Sequence, residues 1–141
     1  MIKYQARIFK DGDSYSVVFP DLPGCFSMGD SLEHAKEMAK ESLSLYLQEA
    51  RDPKWEIPKA KSRKAKGYYW ITPEISVLIP LMLRRARIDS GLSQNQLAKR
   101  LNISTQQLQK LETPGKSNPT VKTLARISEE LGVPLEVKLV A

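Results

Sequence analysis

The chain of 141 residues has one cysteine, Cys25, and one histidine, His34. A single thiol closes no internal disulfide, and no cysteine pair exists to give the spacing of a metal site. His34 has no second histidine beside it and no serine or cysteine at a catalytic spacing, so its plain reading is a helix-surface or packing residue. Cys25 reads as a small buried hydrophobe. The stretches Asp11-Gly12-Asp13-Ser14 and Ser27-Met28-Gly29-Asp30 lack the length and the lysine of a phosphate-binding loop. Asp11, Asp13, Asp21 and Asp30 invite a metal reading, but two of them lie in a hairpin turn that favours Asp for turn reasons alone. No apolar run is long enough to span a bilayer and no signal peptide is read. A cytoplasmic protein with no enzyme activity, no cofactor, no metal and no membrane partner is expected.

What is there is charge, unevenly spread. Residues 1–50 hold five Lys/Arg against eight Asp/Glu, a net −3; residues 51–79 carry +4 and residues 80–141 carry +5. The acidic first part is a poor nucleic-acid surface and suits a basic protein partner; the basic last part suits DNA.

Apolar and polar residues alternate over 2–9, with Ile2, Tyr4, Ala6 and Ile8 on one face and Lys3, Gln5 and Arg7 on the other, which predicts a half-buried strand. Gly12 and its aspartates turn the chain into a second strand at 15–19. Residues 25–28 suit a third short strand. Asp30 or Ser31 then caps a helix whose stripe runs through Leu32, Ala35, Met38, Ala39, Ser42, Leu43, Tyr46 and Leu47 to a predicted end near Ala50. Residues 51–67, rich in Lys, Arg and Pro, read as an exposed connection, and Tyr68 to Ile71 as a strand returning to the sheet. Thr72-Pro73-Glu74 predicts a helix start at Pro73. Pro80 inside it leaves two alternatives, one bent helix or two pieces.

Ser93 with Gln96 and Ser104 with Gln107 are two capping boxes eleven residues apart. They frame two short helices with Asn102 in a turn that favours positive φ. Leu97, Ala98, Leu101, Ile103, Leu108 and Leu111 are the predicted core of this pair. The geometry is that of a helix placed in a major groove. Thr105, Gln106, Gln109 and Lys110 are then the base-reading candidates, because Gln pairs bidentately with adenine and Lys reaches guanine acceptors. Ser93, Gln94, Ser104, Lys116, Ser117 and Asn118 are the phosphate candidates. The bland reading of Arg84, Arg85 and Arg87 is a solvated helix face. Thr120 caps a last helix with Val121, Leu124, Ala125, Ile127 and Leu131 inward and Gly132 at its end. Leu135, Val137 and Leu139 alternate in a closing strand, which has no partner among helices and predicts pairing with a second copy or with the N-terminal sheet, a dimer being the way to remove an open edge.

Two resemblances follow from these residues. Arg87, Gly91-Leu92-Ser93-Gln94, Leu97-Ala98, Ile103-Ser104, Leu108, Glu112, Pro119, Thr123-Leu124 and Leu131-Gly132 resemble the Cro/C1-type helix-turn-helix family over about residues 81–135. That family usually has Gly where Asn102 stands. The resemblance implies a dimer that reads a palindromic operator. Gly12, Phe19-Pro20-Asp21-Leu22-Pro23-Gly24-Cys25, Gly29-Asp30, Ala35, Ala39 and the long helix resemble the HicB antitoxin family over about residues 2–58. This second resemblance implies a partial, catalytically silent ribonuclease-H-like domain that blocks HicA, a small basic mRNA interferase. Asp21, Asp30, Glu33 and Glu37 are the toxin-binding candidates, acting on basic groups that would otherwise hold phosphate.

The expected fold class is thus α+β. A ribonuclease-H-like ββ-β-α-β domain spans 1–58, with its sheet strand returning at 68–71. A basic linker and the return strand span 59–72. A mainly helical helix-turn-helix and dimerisation domain with a closing strand spans 73–141. Expected partners are a HicA-like toxin, operator double-stranded DNA, and a second copy in a homo-dimer, with a tetramer as the alternative if the N-terminal domains also pair. The rivals are a ligand-sensing repressor without a toxin, which needs a concave apolar pocket, and an enzyme with a DNA-binding appendage, for which no catalytic set is present.

Overall fold

The structure, a computed structural model, describes residues 1–49, 52 and 55–140. Ala50, at the expected helix end, Arg51, Pro53 and Lys54 of the expected linker, and Ala141 lie outside the described residues. The chain divides into two compact units, Met1–Leu78 and Ile79–Ala141. The division falls inside a helix rather than at the expected 72/73 boundary.

Unit 1 is a four-stranded antiparallel sheet with one helix. Its strands are β1 (Tyr4–Asp11), β2 (Ser14–Val18), β3 (Phe26–Gly29) and β4 (Tyr68–Ile71), in the order β3-β2-β1-β4. Gly12 takes φ +62° and closes the β1–β2 hairpin, which pairs Asp11 with Ser14. β4 returns to the far side of β1, Tyr4 opposite Ile71 and Arg7 opposite Tyr68. Each strand begins or ends within two residues of its expected limits.

The helix α1 (Leu32–Gln48) is capped by Ser31, whose hydroxyl accepts the His34 N–H at 3.1 Å. Its buried positions Ala35, Ala39, Leu43 and Leu47 recur every four residues and meet the sheet face that carries Tyr4, Ala6, Ile8 and Val17. Burying each Leu is worth about 1.5–3 kcal/mol. The alanines let α1 approach β3 closely: a Cβ on Gly29 would stand 2.7 Å from the Ala35 Cα and 2.8 Å from the His34 carbonyl carbon. Phe19, Leu22 and Cys25 finish the core, and their backbones bond to one another (Leu22 N–H to Phe19 O, Cys25 N–H to Leu22 O).

The expected connection is largely exposed over its described residues, and it is also anchored at several points. Tyr4 donates its hydroxyl to the Pro58 carbonyl at 2.6 Å. The Gln5 amide accepts the Arg63 N–H at 2.6 Å and donates to the Arg63 carbonyl at 3.0 Å, a substitute for a strand neighbour. The Arg63 guanidinium forks onto both oxygens of Asp21 at 2.8 and 3.0 Å, and the Lys61 N–H adds a bond to Asp21 at 2.9 Å. Gln5, read as an exposed position, is therefore buried. Alternation tells which face a residue is on, not whether a distant segment covers that face.

α2 (Ile75–Asp89) is one continuous helix with Pro80 inside, which settles the two alternatives. It starts two residues later than expected, because Glu74 rather than Thr72 supplies the first carbonyl, accepting from Val77 and Leu78. The remaining helices of unit 2 are α3 (Gln94–Leu101), α4 (Thr105–Leu111) and α5 (Val121–Leu131). Leu97, Ala98, Leu101, Leu108 and Ile127 form the core, with Leu83, Leu92, Ile103, Leu111 and Leu131 packed against it.

Three expectations fail in unit 2. Val121, placed inward, is exposed; it sits in the first turn of α5, beyond the reach of that core. Arg84 and Arg87 are buried, not solvated. Arg87 forks onto the Glu112 carboxylate at 2.7 and 2.9 Å and donates to the Leu92 carbonyl, while Arg84 donates to the Glu112 carbonyl at 3.1 Å. Finally, residues 133–140 form no strand, and Leu135, Val137 and Leu139 are exposed. A strand exists only through a neighbour's hydrogen bonds, and none of the described residues offers this segment an edge.

Candidate nucleic-acid interface and acidic helix

The α3–α4 pair is set by local chemistry. Both capping boxes close: Ser93 accepts the Gln96 N–H while Gln96 accepts the Ser93 N–H at 2.8 Å, and Ser104 and Gln107 repeat the exchange. Asn102 takes φ 56° and ψ 44°, the left-handed turn that redirects the chain, and the Ile103 N–H donates back to Ala98 at 3.0 Å. Leu108 pins α4 to the core.

This turns the remaining side chains of α4 outward. Gln106, Gln107, Gln109 and Lys110 are exposed; Thr105 is half-buried and donates its hydroxyl to the Asn95 amide oxygen. Ser93 and Ser104 use their oxygens as caps but keep O–H groups to donate. Gln94 spends its amide N–H on Glu112 at 3.3 Å. Lys116 and Asn118 are exposed, whereas the Ser117 hydroxyl is buried with no partner, so a phosphate contact through that oxygen is not available in this conformation. Beside α4 lies an open recess of about 440 Å³ whose lining includes Gln107, Lys110, Lys116, Asn118, Thr120 and Arg126. No carboxylate lines it. Gln107 and Arg126 were not singled out from sequence; Gln107 was legible only as a cap, and Arg126 had no local pattern.

In unit 1, Glu33 and Glu37 are exposed one turn apart on α1, and Glu41 continues the row. Lys36 lies 3.4 Å from Glu33. Asp30 is exposed ahead of the helix. The His34 Nδ1 accepts the Asp30 N–H at 3.0 Å and stands 3.7 Å from the Asp30 carboxylate. Asp21 differs from the other three: Arg63 and the Lys61 N–H occupy its carboxylate, and the Arg63 hydrogen bonds hold it below the usual carboxylate range. Burial pushes the Cys25 thiol up, and the Ser42 hydroxyl stands 3.6 Å from its sulfur, which suits a packing residue rather than a nucleophile. Among the described residues no His, Cys, Asp and Glu side chains cluster to hold a metal, and no helix is long and apolar enough to cross a membrane.

The described chain is thus a sheet-and-helix unit with an acidic helix row, followed by a small helical unit with an amide-rich and basic outer surface. The family model described as HicB-like antitoxin of bacterial toxin–antitoxin systems matches residues 4–122. The chain belongs to that family and is an antitoxin of such a system. It is 25% identical over 136 residues to Antitoxin HicB 2 of Photorhabdus laumondii, covering 96% of this chain and 95% of that one. It is 42% identical over 57 residues to an uncharacterised 14.9 kDa protein of Haemophilus phage HP1, covering 40% of this chain and 43% of the phage protein. A solved HicA3 and HicB3 toxin–antitoxin complex contains a chain with TM-score 0.41 and 20% identity, covering 52% of this chain and 99% of that one.

Proposed function

We propose that unit 1 binds a HicA-type mRNA interferase and blocks it sterically, and that unit 2 is a helix-turn-helix that binds operator DNA to regulate the toxin–antitoxin operon. Membership of the antitoxin family supports the first half. Asp30, Glu33 and Glu37 are the contact residues on unit 1, exposed carboxylates that compete for cations a ribonuclease would use on phosphate. Asp21 is retained as a contact only through its neighbourhood, since its carboxylate is already engaged.

One observation carries the second half. Two closed capping boxes and a left-handed Asn102 hold α4 so that Gln106, Gln109 and Lys110 point away from the core. Gln106 and Gln109 read adenine, Lys110 reads guanine, and Thr105 adds a methyl and a hydroxyl. Ser93, Ser104, Lys116 and Asn118 hold phosphates, and the recess with Lys110, Lys116 and Arg126 accommodates the backbone that runs past α4. Two copies, paired through Leu135, Val137 and Leu139, bring two such helices to successive major-groove faces. A tetramer results if the N-terminal units pair as well.

The test is co-purification with the product of the adjacent small gene, followed by an RNA-cleavage assay on that partner and a mobility-shift assay on the upstream DNA. A stable complex whose cleavage activity returns on removal of this chain supports the antitoxin mechanism. DNA binding without any complex would leave a plain repressor.

A further inference from the structure

The net −3 of residues 1–50 conceals a basic face. The strand register puts Gln5, Arg7 and Phe9 of β1 on the side of the sheet away from α1, and Lys3, just ahead of β1, reaches over Trp70 of that side. Trp70 lies opposite Gln5; Tyr68, Val18 and Phe26 share the row of Arg7; Ser16 and Met28 share the row of Phe9. Trp70 is 42% exposed, Phe26 71%, Met28 60% and Val18 41%, an unusual density of exposed apolar side chains on the part of this face that the segment through Arg63 leaves uncovered. Of the nearby carboxylates, Asp11 accepts from the Ser16 hydroxyl and Asp21 is paired with Arg63. The acidic row Glu33, Glu37 and Glu41 is on α1, across the sheet.

Each of three aromatic rings on this face carries a cation above it. Lys3 Nζ is 4.7 Å from the Trp70 centroid, the Arg7 guanidinium 4.9 Å from Phe9, and Arg63 5.7 Å from Tyr68. Arg63 belongs to a segment with Lys59, Lys61, Lys64 and Lys66, which its bonds to Gln5 and Asp21 anchor beside these strands. We propose that this outer sheet face binds single-stranded nucleic acid. The exposed Phe26 and Trp70 rings offer stacking platforms to unpaired bases, and Lys3 and Arg7 meet the phosphates beside them. A duplex hides its base faces and could not use the rings. An apolar protein partner would have to strip water from Lys3 and Arg7 and offer no anion in return. The proposal does not depend on the antitoxin or operator reading.

The experiment uses the full chain carrying Trp55→Phe, so that Trp70 is the only tryptophan, with a labelled unstructured oligoribonucleotide and a random duplex as probes. The expected result is salt-sensitive binding of the single strand, read by anisotropy, together with quenching of Trp70. Phe26→Ser should weaken single-strand binding about tenfold, and Lys3→Gln with Arg7→Gln should weaken it further and flatten its salt dependence. Circular dichroism checks that each variant is folded. Gln106→Ala with Lys110→Ala, in unit 2, should leave single-strand binding unchanged. No binding, binding without Trp70 quenching, or loss through the unit 2 substitutions alone overturns the proposal. So does a change of sedimentation state in Phe26→Ser at unchanged RNA affinity, which would make a second copy of this chain the occupant.

Discussion

Removing the Glu112 carboxylate should unfold unit 2 while sparing unit 1. Glu112 is 1% exposed and receives two charge-assisted bonds from Arg87, itself buried, plus one from Gln94. Truncating one partner of such a pair leaves the other charge buried and unpaired, at a cost of about 3–5 kcal/mol. Unit 2 spans residues 79–141, and a unit of that size has a total stability of about 3–9 kcal/mol. Glu112→Ala therefore removes most of what holds it together. Both tryptophans, Trp55 and Trp70, lie in unit 1. In a urea titration of the variant, the far-UV circular dichroism should show an early transition that tryptophan fluorescence does not follow, and binding to the upstream DNA should be lost with it. Arg87→Met combined with Glu112→Leu should recover most of the loss, because an apolar pair of similar volume carries no desolvation penalty. If Glu112→Ala shifted the unit 2 transition by less than about 1 kcal/mol, the claim that this ion pair organises the helices would be refuted.

Other substitutions test other parts. Gly29→Ala should destabilise unit 1 by about 1–3 kcal/mol or prevent its folding, since the added methyl meets helix backbone that cannot move aside; fluorescence-detected unfolding reads this. Asp21 has its folded pKa held down by Arg63, so its contribution to stability is present above the ordinary carboxylate range and is lost as pH falls through the lower, folded value. Asp21→Asn should be less stable at neutral pH and should lose less on acidification; parallel acid-titration slopes for the two proteins would contradict this. Arg63→Ala should release the segment around Lys61 and Lys64 and speed its cleavage by trypsin. Lys116→Ala should weaken DNA binding about equally for all sequences and lower the salt-dependence slope by about one, whereas Gln109→Ala should cost about 1–3 kcal/mol at one base position only.

Local chemistry explains what could be read beforehand. The two capping boxes, the left-handed Asn102, the Ser31 and Thr120 caps and the Gly12 turn each depend on a few neighbouring residues, and each stands where expected. The outward set on α4 followed from the same pattern, because knowing Leu108 faces in decides where Gln106 and Gln109 face. What could not be read depends on residues far apart in the chain. Nothing near Arg87 announces Glu112, although both stand among the residues that carry the helix-turn-helix resemblance. Arg63 looked like linker charge because its partner, Asp21, is 42 residues away. The tail at Leu135, Val137 and Leu139 has the alternation of a strand, but alternation supplies no hydrogen-bonding neighbour. Charge counted along the chain missed the separation of acidic and basic residues onto opposite sides of one sheet.

The strand order β3-β2-β1-β4 bears on how this protein is made. Its first strand is an interior one, and its second neighbour is contributed by Tyr68–Ile71. During synthesis β1 can acquire β2, β3 and α1 early, yet one of its edges stays open until the whole crossing segment has emerged. A ribosome that stalls before residue 71 releases a chain with an unpaired inner strand, and a protease that cuts the crossing segment before Arg63 has locked onto Asp21 leaves the same defect. The sheet of this antitoxin is therefore complete only after residues 68–71 have been made.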